Sequence, residues 1–300
     1  MALKNFAEMR GRLAGGTKKK MAVAGADDEH SVEAAVLAHK QGLAEPVLVG
    51  DGTKIREFLK KLGEQPSKYE IVEAAANKET AEATVVLARE KKVNCILKGG
   101  LQTGDLIRAV VNSSTGIKTQ ELLSHVTILE IPAYHKLLAV TDGAIVPAPD
   151  LNQKLMILDN ALRVMHGLGY AEPKVGALES NEVVNPKIPS SAEAAAIKEM
   201  NRKGEIKDCL IEGPISLDLA VDPKACREKR YQSPVAGDVD LLLCPFITVA
   251  NAMVKGIQTF GGGTKTAGVV VGASVPIILI SRAASAEEKV NSISLAALVS

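Results

Sequence analysis

The chain has 300 residues, of which 46% are hydrophobic and 24% charged, and its formal net charge is +1. This composition is ordinary for a globular enzyme, and the length is enough for one large domain or two ordinary ones. The balanced charge argues against a nucleic-acid-binding protein, which needs a basic imbalance. Aromatic residues make up only 3% and Trp is absent, so aliphatic side chains must fill the core, as in parallel sheets covered by helices.

The four cysteines do not show the paired spacing of a metal site, and three of them lie in apolar, strand-like runs. We therefore expect buried free thiols in a reducing compartment. No apolar run reaches the length of a membrane span, and the N-terminal sequence lacks the hydrophobic region of a secretory signal. The expectation is a cytoplasmic protein without a membrane partner.

The first third of the chain alternates short apolar runs with helical patterns. KKMAVAG predicts a strand, the next helix is expected to end at Gly42, and PVLVG predicts a second strand. The same alternation continues with helices near 53–62 and 80–92 and with strands near 69–72 and 93–98. This pattern is typical of consecutive βαβ units.

A glycine-rich loop at 99–104 follows the strand VNCILKGG. Backbone amides, the Thr103 hydroxyl and the Arg108 guanidinium around a helix start are suited to bind a phosphate group. The loop is neither a Walker loop nor a dinucleotide fingerprint, and a plain turn explains the spacing equally well.

The middle of the chain predicts strands in VTILEIP and LLAVTDGAIVP, with a break at 132–135. A long helix is expected to start after Asp150 and to end near Gly167. Further predictions are the strand KVGALES, a helix beginning at a capping box from Ser190 to Glu193, the strand DCLIEGP and the helix SLDLAVDPKACREK. The alternation favours an α/β fold with largely parallel sheets.

The C-terminal third begins with SPVAGDVDLLLCP, continues through the helix TVANAMVKGIQTF and a turn of three glycines, and then enters two apolar strands. Ser281 and Arg282 come at the end of the last strand, ahead of a helix. Ligands of open α/β sheets bind beyond the carboxyl ends of the strands, so this hydroxyl and guanidinium are placed to meet an anion.

These blocks, taken in order, resemble the phosphate acetyl/butyryltransferase family over essentially the whole chain. The matching segments include KKKMAVAGADDEHSVEAA, ILKGGLQTGDLIRAVV, LSHVTILEIP, AVTDGAIVPAPDL and VVNPKIPSSAEAA. The resemblance implies an acyltransferase that converts acyl-CoA and phosphate into acyl phosphate and CoA through a ternary complex. It implies coenzyme A and phosphate as substrates, with no separate cofactor and no metal.

VVNPKIP and GPISLDLA are closer to the butyryl branch, so we expect a phosphate butyryltransferase, with a phosphate acetyltransferase as the alternative. A protein of the same fold that binds CoA but is catalytically impaired is an alternative of another class, because Ala284 replaces an acid of the butyryl-type pattern. A nicotinamide-dependent dehydrogenase of related architecture is disfavoured by the missing dinucleotide fingerprint.

The resemblance also implies the architecture: two α/β/α domains with largely parallel sheets and a cleft between them, similar to isocitrate and isopropylmalate dehydrogenases. We assign residues 1–132 and 272–300 to the first domain and 133–271 to the second, with the crossover near 131–139. The family further suggests a homodimer or a higher homo-oligomer.

By the resemblance, Arg282 holds phosphate and Ser281 contacts the acyl phosphate or the thiol, both as catalytic residues. An arginine fork can bind two phosphate oxygens at once and stays charged. Glu288 stands where acetyl-type relatives have a general base, but Ser285 and Glu288 also form a capping-box pattern, and both interpretations stay open. Arg108 matches the family's Arg-bearing loop and is expected to bind substrate.

The remaining substrate-binding candidates lie in three blocks of the same resemblance: Ser124, His125, Asp142, Asn251 and Lys255. The alternative interpretations are a structural histidine, a strand-end cap for Asp142 and a solvated helix lysine. Gly143 departs from acetyl-type relatives, which carry Cys there, and this difference concerns the shape of the pocket.

Overall fold

The computed structural model of the protein describes residues 2–14, 16, 18–279 and 284–300. The chain forms two compact units. The flanking unit comprises residues 6–123 and 267–300, and the central unit comprises residues 1–5 and 124–266.

In the flanking unit, helices alternate with strands from the start. The elements are α1 (Phe6–Leu13), β1 (Lys19–Ala24), α2 (Glu29–Lys40), β2 (Ala44–Gly50), α3 (Gly52–Lys61), β3 (Glu70–Glu73), α4 (Asn77–Arg89), β4 (Cys95–Lys98) and α5 (Thr103–Val110). After the central unit follow β10 (Lys265–Val271), which starts at the boundary, β11 (Ile277–Ile278) and α11 (Ala286–Val299). The strand order is β3-β2-β1-β4-β11-β10. All neighbours pair in parallel except β10, which pairs antiparallel with β11.

The central unit has its own strands and covering helices. They are β5 (Ser124–Glu130), β6 (Leu137–Thr141), α6 (Leu151–Gly167), β7 (Lys174–Leu178), α7 (Pro189–Arg202), β8 (Leu210–Ile215), α8 (Leu217–Val221), α9 (Pro223–Glu228), β9 (Leu241–Leu243) and α10 (Ile247–Phe260). The strand order is β5-β6-β9-β7-β8. Only the β5–β6 pair is antiparallel among these neighbours. The expected α/β fold with largely parallel sheets is therefore confirmed.

The unit boundary before β5 differs from the sequence-based assignment, which kept residues up to 132 in the first domain. The structure places β5 in the central unit because it forms a hairpin with β6, with Val126 opposite Thr141 and Glu130 opposite Leu137. The Ser124 hydroxyl also accepts a hydrogen bond of 3.0 Å from Asn160 of α6. These contacts join β5 to β6 and α6, which follow it in the chain and belong to the central unit.

Local capping signals explain several helix starts. Asp150 and Gln153 form a reciprocal capping box at α6, with hydrogen bonds of 2.8 and 3.0 Å. Gly42 follows α2 with a φ of 71°, a left-handed conformation that glycine adopts without strain. The predicted start of α6 and end of α2 are confirmed.

Two local predictions were wrong. Helix α7 begins after Ile188, and Ser190 lies inside the helix, where its hydroxyl donates to Glu179 instead of capping. The segment expected to form one helix after β8 forms α8 and α9, because Asp222 caps a new helix whose first residue is Pro223. Proline has no N–H to continue the preceding helix.

A network of ion pairs joins the amino ends of β6, β7 and β9 in the central unit. Lys136 lies 2.8 Å from Asp238 and 2.6 Å from Asp240, and Lys174 lies 2.6 Å from Asp238. Burial raises the pKa of Asp238, but hydrogen bonds from the two lysines outweigh it and lower the pKa to about 2. The network therefore favours the charged carboxylate.

The cores contain mainly aliphatic side chains, and all four cysteines are free and buried. Burial raises the pKa of the Cys95 and Cys244 thiols to about 12, so both stay protonated at neutral pH. Within the ranges described above, no helix combines the length and hydropathy needed to cross a membrane.

Candidate active site

The carboxyl ends of β6, β9 and β7 meet at one edge of the central sheet because these strands are parallel. Strand β5 runs antiparallel to β6 and therefore begins at the same edge. His125, at the start of β5, and Asp142, just after β6, are placed together there, as is the first turn of α10. Ligands of α/β sheets bind at such an edge.

Asp142 is 3% exposed and organises the loop that follows β6. Its carboxylate accepts backbone hydrogen bonds of 2.8 Å from Ala144, 3.1 Å from Ile145 and 3.1 Å from Val146. Burial raises the pKa of Asp142, and these backbone donors oppose the rise. The carboxylate is occupied by main-chain donors, which favours the strand-end cap over direct ligand binding.

Helix α10 is tied to the same loop at two points. Asn251 Nδ2 donates to the Gly143 carbonyl at 3.1 Å, and the Ile247 N–H donates to the Pro147 carbonyl at 3.1 Å. A Cβ atom at Gly143 would meet its nearest neighbour, Ala250 Cβ, at 3.7 Å, which is an ordinary contact. Packing therefore allows a side chain at position 143.

His125 is held through its backbone by the last residue of the neighbouring strand β6. The Thr141 hydroxyl donates to the His125 carbonyl at 2.9 Å. The imidazole is partly buried, and burial lowers its pKa to about 4. The ring is consequently neutral at physiological pH.

Ser124, also predicted to bind substrate, lies on the opposite face of β5. It is fully buried, and its hydroxyl accepts the hydrogen bond from Asn160 of α6. Successive side chains of a strand point to opposite faces. The structure therefore does not bring Ser124 to the surface that carries the His125 ring.

Lys255 is an exposed residue of α10, one turn after Asn251. Its position on the helix that touches the Asp142 loop is consistent with the predicted role in substrate binding. The structure brings His125, Asp142 and Asn251 together, with Lys255 one turn away from them.

Lys154 is a functional candidate that the sequence reasoning missed. Its side chain is 4% exposed, bonds to Glu193 of α7 and lies 5.6 Å from the centre of the Phe246 ring. It lines a small cavity beside Cys244 and Pro245, just beyond β9. The sequence does indicate that this lysine is buried, since position 154 falls on the apolar stripe of α6 that continues through Leu158.

In the flanking unit, two amides of the predicted phosphate loop are already occupied. The Gly99 N–H donates to the Ala24 carbonyl at 2.8 Å, and the Gly100 N–H donates to the Gly25 carbonyl at 2.7 Å. Arg108 forms an ion pair of 2.9 Å with Asp105 and is 79% exposed.

The other predicted candidates lie at two helix starts of the flanking unit. Thr103 is the exposed first residue of α5. The Glu288 N–H donates to the Ser285 hydroxyl at 3.1 Å, so the serine half of the capping-box pattern forms at the start of α11. Ser281 and Arg282 lie outside the described residues.

Comparison with known proteins identifies the family. The sequence profile of the family described as Phosphate acetyl/butaryl transferase matches residues 6–97 and 78–297. The chain belongs to this family.

Two curated relatives match almost the full length. The phosphate butyryltransferase of Clostridium acetobutylicum is 38% identical over 297 residues, covering 99% of this chain and 98% of the relative. The phosphate acetyltransferase of Thermotoga maritima is 35% identical over 293 residues, covering 98% and 99%. The predicted family and acyltransferase class are confirmed.

A solved structure supports the same assignment. A branched-chain phosphotransacylase from Enterococcus faecalis V583 superimposes with a TM-score of 0.82 at 30% identity, covering 93% of this chain and 99% of that chain. The fold and the sequence therefore both support the assignment to this acyltransferase family.

Proposed function

We propose that this family member is a phosphate butyryltransferase that takes acyl-CoA and phosphate as substrates and releases acyl phosphate and CoA. The observation that carries the proposal is the full-length similarity, at 38% identity, to a protein named phosphate butyryltransferase. The neighbouring family activity, phosphate acetyltransferase, is the second candidate because a relative of that name matches nearly as well.

The reaction needs a phosphate clamp and a donor to the acyl carbonyl. A phosphate oxygen attacks the thioester carbon, the C–S bond breaks, and CoA leaves with the electron pair as a thiolate. A thiol with a pKa near 8.5 is a good leaving group, and the reverse reaction needs a base that removes its proton. We assign the clamp to Arg282 and substrate contacts to Ser281 and Arg108, with Glu288 as the base.

A thiol-release assay with acetyl-, butyryl- and isobutyryl-CoA, with and without phosphate, tests the proposal. We expect phosphate-dependent release that is fastest with a four-carbon acyl group. Faster release from acetyl-CoA would support the acetyltransferase instead. Tight CoA binding without phosphate-dependent release would indicate the catalytically impaired protein. Full activity after treatment with a chelator checks the proposal that no metal is required.

Two arginine variants test the clamp. Arg282→Ala should lower kcat by about a hundredfold or more, and Arg282→Lys should rescue it only in part because lysine lacks the planar fork. Arg108→Ala should raise KM for phosphate or CoA. Arg202→Ala is the matched control for Arg108→Ala, because Arg202 also forms an exposed ion pair with an acid three residues away, Glu199. Wild-type kcat in Arg282→Ala would overturn the clamp, and unchanged KM values for phosphate and CoA in Arg108→Ala would overturn the substrate contact of Arg108.

We also propose a cytoplasmic homodimer. The support is helix α10, which carries a single charged residue yet exposes apolar side chains: Val249 is 36% and Phe260 87% exposed. Phe260→Glu should shift the mass measured by light scattering from dimer to monomer, and a monomeric wild-type protein would refute the proposal.

A further inference from the structure

The imidazole of His125 lies on the face of β5 that α10 covers. Thr127 and Leu129 share this face because strand side chains alternate. Leu129 packs in one buried cluster with Val140 and with Ala250 of α10. His125 is thus the outermost residue of a packed row, at the edge where the Asp142 loop and α10 begin.

Its position is fixed before any ligand arrives. The Thr141 hydroxyl of the neighbouring strand donates a hydrogen bond to its backbone carbonyl. The ring nitrogen Nδ1 lies 3.4 Å from the Thr127 hydroxyl. A hydroxyl that donates to Nδ1 leaves the proton on Nε2, at the far side of the ring.

Among the described residues, the elements beside His125 bring the following charged or polar groups. The loop after β6 brings Asp142, whose carboxylate is occupied by backbone donors of the same loop. Helix α10 has only Lys255, which is exposed. Helix α6, on the other face of β5, brings the neutral amide of Asn160 to Ser124.

A neutral, partly buried imidazole is a poor base for this chemistry. Burial lowers the pKa of His125 to about 4, whereas a thiol has a pKa near 8.5, so proton transfer to the ring is unfavourable by about four powers of ten. The same neutral ring is a good hydrogen-bond donor, because its Nε2–H can approach an oxygen that gains negative charge without losing its own proton.

We propose that the Nε2–H of His125 donates a hydrogen bond to the carbonyl oxygen of the acyl group during transfer. This inference rests on the proposed phosphate acyltransferase activity. When the phosphate oxygen bonds to the carbonyl carbon, the carbonyl oxygen becomes an oxyanion, and its charge falls again when the C–S bond breaks. His125 neither gains nor loses a proton in this sequence.

The kinetic test compares His125→Ala, His125→Gln and the control His30→Gln, an exposed histidine in the first turn of α2. His125→Ala should lower kcat about a hundredfold to a thousandfold, with little change in the KM for phosphate. His125→Gln should retain part of the activity, since its amide can donate. Wild-type kcat in His125→Ala, or a Gln variant no better than Ala, would overturn the proposal.

The pH profile separates a donor from a base. Because the ring stays neutral, wild type and His125→Gln should show the same pH dependence between pH 6 and 9, differing only in height. Loss of an inflection near pH 6–7 in the Gln variant would show that His125 exchanges a proton, and would refute the assignment.

Nitrogen-15 NMR of the ring does not depend on turnover. The signal of His125, identified by its absence in His125→Gln, should show the neutral Nε2–H tautomer down to pH 5.5, and Thr127→Val should shift its Nδ1 resonance. A ring that titrates near pH 6.5 would contradict the proposal even if the protein is an active acyltransferase. Absence of phosphate-dependent thiol release in the wild type would instead refute the proposed function.

Discussion

Replacing Glu193 should destabilise the protein more than replacing its partner Lys154. The lysine side chain is 4% exposed and the glutamate side chain 24% exposed, so only the glutamate retains access to water. Glu193→Gln keeps a hydrogen-bond acceptor but leaves a buried ammonium without a counter-charge. Lys154→Met removes the buried charge and leaves a carboxylate that can be hydrated.

The expected magnitudes follow from this asymmetry. Removal of one partner of a buried ion pair typically costs about 3–5 kcal/mol. Because Gln keeps the hydrogen bond, we expect about 2–3 kcal/mol for Glu193→Gln. Lys154→Met should cost about 1 kcal/mol or less, since an apolar side chain of similar length fills the site. The double variant should resemble Lys154→Met alone.

Urea unfolding of the four proteins measures these differences as shifts in the midpoint at constant m-value. The coupling free energy from the cycle should be at least about 1 kcal/mol. Glu228→Gln is the matched control, because its exposed ion pair with Lys224 should leave the midpoint unchanged. Equal losses for the two single variants, or additive losses in the double variant, would refute the argument.

Three further predictions concern carboxylates. Asp142→Ala leaves several buried N–H groups without an acceptor, so the melting temperature and kcat should both fall. An unchanged kcat would show that this loop does not position the His125 site. Asp238, with its lowered pKa, stabilises the fold above the unfolded pKa near 4, and this contribution is lost as the pH falls towards 2. The difference in unfolding midpoint between wild type and Asp238→Asn should therefore shrink between pH 5 and pH 2, and a constant difference would contradict the pKa assignment. Glu288→Gln should leave the backbone cap on Ser285 and the melting temperature intact while lowering kcat about a hundredfold; full activity would mean that the thiol proton goes elsewhere.

Local patterns in the sequence were sufficient for much of the fold. The strands at the start of the chain, the box of Asp150 and Gln153, and the glycine that ends α2 each depend on residues within a few positions of one another. A prediction from neighbouring residues failed at Ser190. The capping pattern is present there, but the hydroxyl bonds to Glu179, eleven residues before it in the chain.

The candidate site was only partly predictable. The resemblance named His125, Asp142 and Asn251 as separate candidates from different blocks. It gave no indication that Asp142 accepts backbone donors from its own loop, or that Asn251 bonds to the Gly143 carbonyl. These contacts depend on strand register and on the placement of α10.

The sequence by itself determined the α/β alternation, the family and the residue types that the chemistry needs, because these are properties of short segments and of their order. Tertiary structure decided that β5 pairs antiparallel with β6, that Lys154 is buried against Glu193, and that the His125 ring is neutral. Each of these depends on groups far apart in the chain and on the removal of water around them, which no local pattern encodes.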